Sequence, residues 1–389
     1  MKKTFLKLRN RRGFTLVLTA FMITLLLGAG ALAIDIGRMQ YYRTVLQASA
    51  DAAALAGAKS LMNGSFSTAS ADMATYAAKY SIQGTTVTNY STIPGDWSPS
   101  GGFVAGSWDE NARAVRDSVS YNGSFMFGRV FGLTNKTLHA GADAIVASVG
   151  ATTCVRPLGV PYQAMLNQLY ADHSHSTLQS AATYTLADTD IVDLRSSTTL
   201  TQLKVTDATA SPDPSAGTFY LLQMGPYAPS AGTPLYTPSP DWGGNSVNGG
   251  FPSRFSGECS NSPWTVTVGD WMQGKQGNVN GPMQSAFDDM CHTHITGGSG
   301  TYMCTVQVPL RTIKVALWSV QNSSICSPRC FQVKYLAAFV IDRYIVSSGG
   351  GNDGDGLWGY FTSISSDGKV IGTGSGSGGG TLQRLALVK

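Results

Sequence analysis

Residues 14–34 read FTLVLTAFMITLLLGAGALAI, and residues 34–62 continue as IDIGRMQYYRTVLQASADAAALAGAKSLM. The first stretch has 21 residues and no ionisable side chain. A helix needs roughly 20 such residues to cross a hydrocarbon core, so the stretch is long enough to span a membrane. In the second stretch Met39, Tyr42, Leu46, Ala50, Ala53 and Gly57 recur at spacings of three and four, which places them on one face of a helix. The pattern predicts a single helix running unbroken from the membrane to about Met62. Its alanine-rich second half favours helix and lets another backbone approach closely, so Ala53 and Gly57 are expected to receive a neighbouring subunit.

Charge orients the helix. Lys2, Lys3, Lys7, Arg9, Arg11 and Arg12 precede the span and Asp35 follows it. Positive charge stays on the cytoplasmic side, so the N-terminus is expected inside and the bulk outside a bacterial inner membrane. The rival is a cleaved secretory signal, because Ala31-Leu32-Ala33 has a small-x-small pattern. A signal core is about 7 to 15 residues long, and here the helical register continues past Ala33. Asp35 and Arg38 lie three apart at the outer surface and are expected to pair. An exposed pair contributes under about 1 kcal/mol, so its expected use is to set the depth of the helix.

Charged residues make up 13% of the chain and glycines number 45, a low-charge, turn-rich composition that suits an exported protein. Removing the six N-terminal positive charges from the net +4 leaves −2, which excludes a basic nucleic-acid surface. At 389 residues the chain is long enough for two exported domains behind a short anchor.

Two motifs carry a resemblance. The basic tail followed by Gly13 and Phe14-Thr15-Leu16-Val17 is similar to a type IV prepilin junction, which implies cleavage between Gly13 and Phe14. Leu18 stands where that family carries glutamate, so the resemblance implies a minor or pseudopilin-like role and not a major pilin. Asp35, Gly37 and Arg38, followed by Leu46, Gln47, Ala50, Asp51, Ala52, Ala53, Ala54, Leu55 and Ala56, resemble the signature of the TadE/TadG-like proteins of Tad (Flp-type) pilus assembly. That resemblance implies a membrane-anchored, non-catalytic minor pilin, pseudopilin or assembly factor whose partners are the membrane and other pilus or secretion subunits. Asp51 is expected to cap or pair with a group of the exported body. A membrane-displayed, adhesin-like module with contact loops in Ser211–Pro263 is the alternative, and a periplasmic hydrolase ranks below it.

The organisation expected is a basic tail (1–12), a transmembrane helix (13–36), a stalk helix with a small α+β domain (37–150) and a larger β-rich α+β domain with an antiparallel sheet (151–389). Ala71–Tyr80 reads as a helix, Ile93–Gly106 as a turn-rich linker, and Ala112–Tyr121 and Thr137–Val149 as strands. Between those strands, Ser124–Phe131 reads as a short helix sending Phe125, Phe127 and Phe131 to the core. Further on, Gln163–Tyr170 and Pro282–Met290 read as helices. Tyr302–Val308, Thr312–Val320, Phe331–Val346, Leu357–Ile364 and Thr381–Val388 read as strands. Residues 268–290 with these strands loosely resemble the C-terminal halves of Tad-type proteins.

The chemical candidates are few. Cys154, Cys259, Cys291, Cys304, Cys326 and Cys330 all lie on the exported side and are expected in disulfides. Short loops favour Cys291 with Cys304 and Cys326 with Cys330, leaving Cys154 with Cys259; a zinc site from Cys291, His292, His294 and Cys304 is the rival. His173 and His175 sit in a polar stretch beside Asp172 with no nucleophile motif around them. Asp193-Leu194-Arg195-Ser196-Ser197 puts arginine where a von Willebrand A-type metal site needs serine. The glycine-rich stretch holding Asp353 and Asp355 lacks a full calcium-loop ligand pattern and reads as a hairpin tip. No catalytic residue, cofactor, metal or small-molecule substrate is expected.

Overall fold

The computed structural model describes residues 12–98, 100–109, 112–206, 218–221, 227–230, 233–236, 265–274, 280–293, 295, 299–322, 330–346, 356–372 and 380–388. Helix α1 (Arg12–Met62) is one uninterrupted element of 51 residues. It contains no proline, and at 1.5 Å per residue it is about 75 Å long. It stops at a C-terminal motif that glycine makes possible. Gly64 takes φ +72°, its N–H reaches the Leu61 carbonyl at 2.9 Å, and the Ser65 N–H reaches the Ser60 carbonyl at 2.9 Å.

The two halves of α1 have different surroundings. The apolar window of the span has none of its residues buried. From Met39 onward one face is buried, and Met39, Tyr42, Leu46, Ala50, Ala53, Ala54, Ala58 and Leu61 join a single core cluster. That cluster is completed by α2 (Ala69–Ala77) and by the sheet that follows. A short hairpin of β1 (Ser81–Ile82) and β2 (Thr85–Thr86) leads into β3 (Thr88–Ser98), β4 (Gly102–Ala105), β5 (Ala114–Ser124), a 3-10 turn (Gly128–Phe131) and β6 (Asn135–Thr152).

The stretch expected as a linker, Ile93–Gly106, is instead largely the β3–β4 hairpin. Pro94 fits because it lies just beyond the β4 pairing, where its carbonyl takes the Gly106 N–H at 2.9 Å and no ladder N–H is required of it.

The rest of the chain supplies β7 (Val155–Pro161), α3 (Tyr162–Ala171), α4 (Asp188–Ser196), β8 (Thr201–Thr206), β9 (Thr218–Leu221), β10 (Tyr227–Ser230) and β11 (Thr233–Tyr236). Then come β12 (Val266–Thr267), β13 (Trp271–Gln273), α5 (Asn280–Cys291), β14 (Gly300–Met303), β15 (Thr312–Asn322), β16 (Cys330–Val346), β17 (Gly356–Thr362), β18 (Ile364–Ser365), β19 (Lys369–Gly372) and β20 (Leu382–Val388). The fold is α+β. Most ladders are antiparallel, as expected, but β7–β15, β8–β9, β11–β13 and β18–β20 are parallel. The first of these needs no crossover helix, because some 150 residues of chain separate its strands.

One sheet runs β18-β20-β6-β5-β3-β4, with β12 and β19 also on β6. The boundary expected at residue 150 therefore falls inside β6. The far edge of this 18-residue strand, left bare by β5, is covered by strands returning from the C-terminal part of the chain. In the other sheet a ladder closes on itself through β16-β15-β7-β9-β8-β17 and back to β16, while β14 and the run β13-β11-β10 branch from β16. Its core holds Val160, Val315, Tyr335, Phe339 and Phe361 together with Leu166 and Leu169 of α3. Beyond the first residue of β8, where its pairing with β17 stops, the backbone of Phe361 is satisfied by Gln168, whose amide donates to the Phe361 carbonyl at 3.0 Å and accepts its N–H at 2.7 Å.

Cys291 and Cys304 form a disulfide, the expected local pair. It occupies the two sulfurs that the zinc alternative required. Cys154 and Cys330 are also disulfide-bonded. Cys259, Cys326, His294, Asp353 and Asp355 lie outside the described residues, as does most of Ser211–Pro263 apart from β9, β10 and β11.

Candidate functional site: the membrane-exit junction

Asp35 lies one residue beyond the apolar span, yet its side chain is only 1% exposed. The cause is the β5–β6 connection. One carboxylate oxygen accepts the Met126 N–H at 2.8 Å, and the other accepts the N–H groups of Phe127 at 2.9 Å and Gly128 at 2.6 Å. These donors open the 3-10 turn, where a helical start leaves N–H groups without intrahelical partners. A carboxylate more than 90 residues away in sequence caps them, with charge-assisted hydrogen bonds.

The expected partner of Asp35 is secondary. Arg38 Nη1 stands 3.9 Å from Asp35, and the guanidinium donates a shorter bond, 2.9 Å, to the Tyr42 hydroxyl. Tyr42 in turn meets Tyr121 of β5 edge to face at 5.5 Å between ring centroids. Burial beside Tyr42 pushes the Tyr121 phenol above its ordinary pKa. Gly37 is exposed, and a Cβ added there would meet nothing within 4 Å. The helix expected over Ser124–Phe131 shrinks to the turn Gly128–Phe131, because Asp35 fixes the backbone just before it. Phe125 packs on the stalk core, but Phe131 points to the outside.

Further along α1, the Gln47 amide bridges the Asp51 carboxylate at 2.8 Å and the Gly141 carbonyl of β6 at 3.1 Å. Gln47 therefore reaches the body, and Asp51, expected to do so, is held by its own helix. Asp51 lines an open groove of about 650 Å³ together with Arg116 and Asp143. Arg116 donates twice to Asp143, both at 2.7 Å, and lies over the Phe103 ring at 4.4 Å. The hydrogen-bonded carboxylate holds the guanidinium pKa above its ordinary value.

Leu46, Ala53 and Gly57 are buried by the chain itself. A Cβ on Gly57 would stand 2.6 Å from Met73 of α2 and 3.3 Å from Val115 of β5. The small-residue face expected to receive a neighbouring subunit is thus filled by this protein's own body. Gly13 and Phe14, the expected processing junction, fall in the first turn of α1.

The other sequence candidates find structural uses. His175 Nε2 lies 2.8 Å from Asp190, which also accepts the Tyr184 hydroxyl at 2.8 Å and the Ala187 N–H at 2.8 Å, capping α4. Arg195 is on α4 and donates to Gln383 of β20 at 3.0 Å. Among the described residues no group of three or more His, Cys, Asp or Glu side chains is placed to hold a metal.

A model of TadE/G-like Flp pilus-assembly proteins matches residues 13–60, and a model of Tad-like Flp pilus-assembly proteins matches residues 56–144. The N-terminal third of this chain is that of a TadE/TadG-like pilus-assembly protein. In this Tad-type unit the first match is α1 and the second is α2 with the sheet on which α1 packs, so Asp35 joins one to the other. Both matches stop short of residues 268–290, where a looser likeness was expected. No curated protein and no solved structure matches the chain. Among the described residues one helix is long and apolar enough to cross a membrane, and with the two matches this supports a membrane-anchored component of a Tad/Flp pilus system.

Proposed function

We propose that the protein is a non-catalytic subunit of a Tad/Flp-type pilus or related secretion system, a minor pilin, pseudopilin or assembly factor. It sits in the inner membrane with its N-terminus in the cytoplasm and its body periplasmic or extracellular. One observation carries this: the outer half of α1 is core to the exported body while the span is bare. Span and body then move as one rigid piece, and neighbours in the membrane can grip the span. Small residues such as Gly28 and Gly30, with open space around them, permit close helix contacts there. Leu18 in place of glutamate fits a supporting role better than that of a major filament subunit.

A photo-crosslinking residue at Leu26 in pilus-producing cells should link the protein to another subunit of the same system, and deleting the protein should lower pilus output. Absence of such crosslinks together with normal pilus output would reject the assembly role in favour of a displayed binding module.

A further inference from the structure

We propose that the tip of the β5–β6 hairpin, residues 126–133, is a second membrane contact that inserts into the outer face of the bilayer crossed by α1. The proposal rests on α1 being a membrane anchor and adds to it a contact surface on the body.

The hairpin runs down the stalk toward the membrane. Near its open end Val115 lies against Gly57, and near its closed end Gly123 lies against Met39 and Tyr42. The eighteen helical residues between those points and the eight strand residues beside them cover the same distance, about 27 Å, so hairpin and helix lie side by side. The closed end therefore arrives where the apolar span ends. Asp35 pins it there through the amides of Met126, Phe127 and Gly128, one residue after Ile34.

What the tip presents at that level is apolar. Met126 is 61% exposed, Val130 85%, Phe131 68% and Leu133 49%. A water-facing turn has no physical reason to expose four such side chains together. The patch is continuous with the bare span, since Leu133 and Phe125 share an open groove with Leu32 and Ile36 of α1. Arg43, Arg129 and Lys136 are exposed around it. Apolar side chains flanked by cations suit the boundary between acyl chains and anionic headgroups. The occupant argued for is thus lipid and not a second protein, because the apolar surface joins one already assigned to the membrane.

Full-length protein carrying Phe131→Cys, with its native disulfides intact, would be spin-labelled and placed in nanodiscs of phosphatidylcholine and phosphatidylglycerol. Leu26→Cys in the span and Val104→Cys at the distant end of the sheet serve as references, and Val130→Cys replaces Phe131→Cys if that variant fails to fold. Collisions with oxygen should exceed those with a water-soluble nickel chelate several-fold at 131, as at 26, and the order should reverse at 104. A water-exposed label at 131 with a lipid-exposed label at 26 would overturn the proposal while leaving the anchor intact. A label at 131 shielded from both reagents would also overturn it, in favour of a protein partner. A water-exposed label at 26 would instead remove the anchor itself, and the proposal with it.

Discussion

A body that begins at residue 63 is expected not to fold, whereas one that begins at Asp35 should fold and melt cooperatively. The shorter fragment lacks Met39, Tyr42, Leu46, Leu61 and Met62, all buried side chains of the stalk core, as well as the alanines between them. Burying a large apolar side chain contributes about 1.5 to 3 kcal/mol, so these five account for about 8 to 15 kcal/mol. A whole domain is typically stable by only about 5 to 15 kcal/mol. Sheet strands β5 and β6 would also lose the layer that covers one face. Circular dichroism and limited proteolysis of the two fragments give the test, and a cooperative melt from the fragment beginning at 63 would show that α1 is dispensable to the body.

The second large effect is at Asp35. Substitution by alanine removes all three acceptor bonds to the hairpin tip at once. Hydrogen bonds to a charged group contribute about 1.5 to 3 kcal/mol each, but bonds that share one acceptor group in a single turn do not add in full. A net loss of about 3 kcal/mol at the tip is expected, which corresponds to about 100-fold faster hydrogen exchange at Met126, Phe127 and Gly128. The same substitution should leave membrane insertion unchanged, because the span ends before it. Unchanged exchange at these amides would mean that the tip is held by something other than Asp35.

Much of α1 was legible because its signals are local. The absence of charge over residues 14–34 and the three-and-four spacing from Met39 to Gly57 depend only on neighbours within a few turns, and all six of those face residues are buried. What covers that face was not legible. Small residues at Ala53 and Gly57 state how closely a partner approaches, but not whether it is another subunit or, as here, Met73 and Val115 of the same chain. The Asp35 site was half legible for the same reason. Its membrane-exit position is a sequence feature, while its partners lie more than 90 residues away in a turn whose amides carry no side-chain signature. The closed ladder was hidden likewise, since pairing Leu357 with Leu203 is a register set by tertiary packing. The β3–β4 hairpin was concealed by Pro94 and its flanking glycines, which read as turn residues when the edge that tolerates them is unknown.

One rigid helix is expected to join the membrane span to the exported body, with no hinge where it leaves the bilayer. Pairs of spin labels at Leu26→Cys and Val104→Cys in the full-length protein in nanodiscs test it directly through the distribution of distances between them. A single narrow distribution, unchanged between detergent and nanodisc, is the predicted result. A broad or two-peaked distribution would place a hinge at the membrane exit and rule out a rigid connection between span and body.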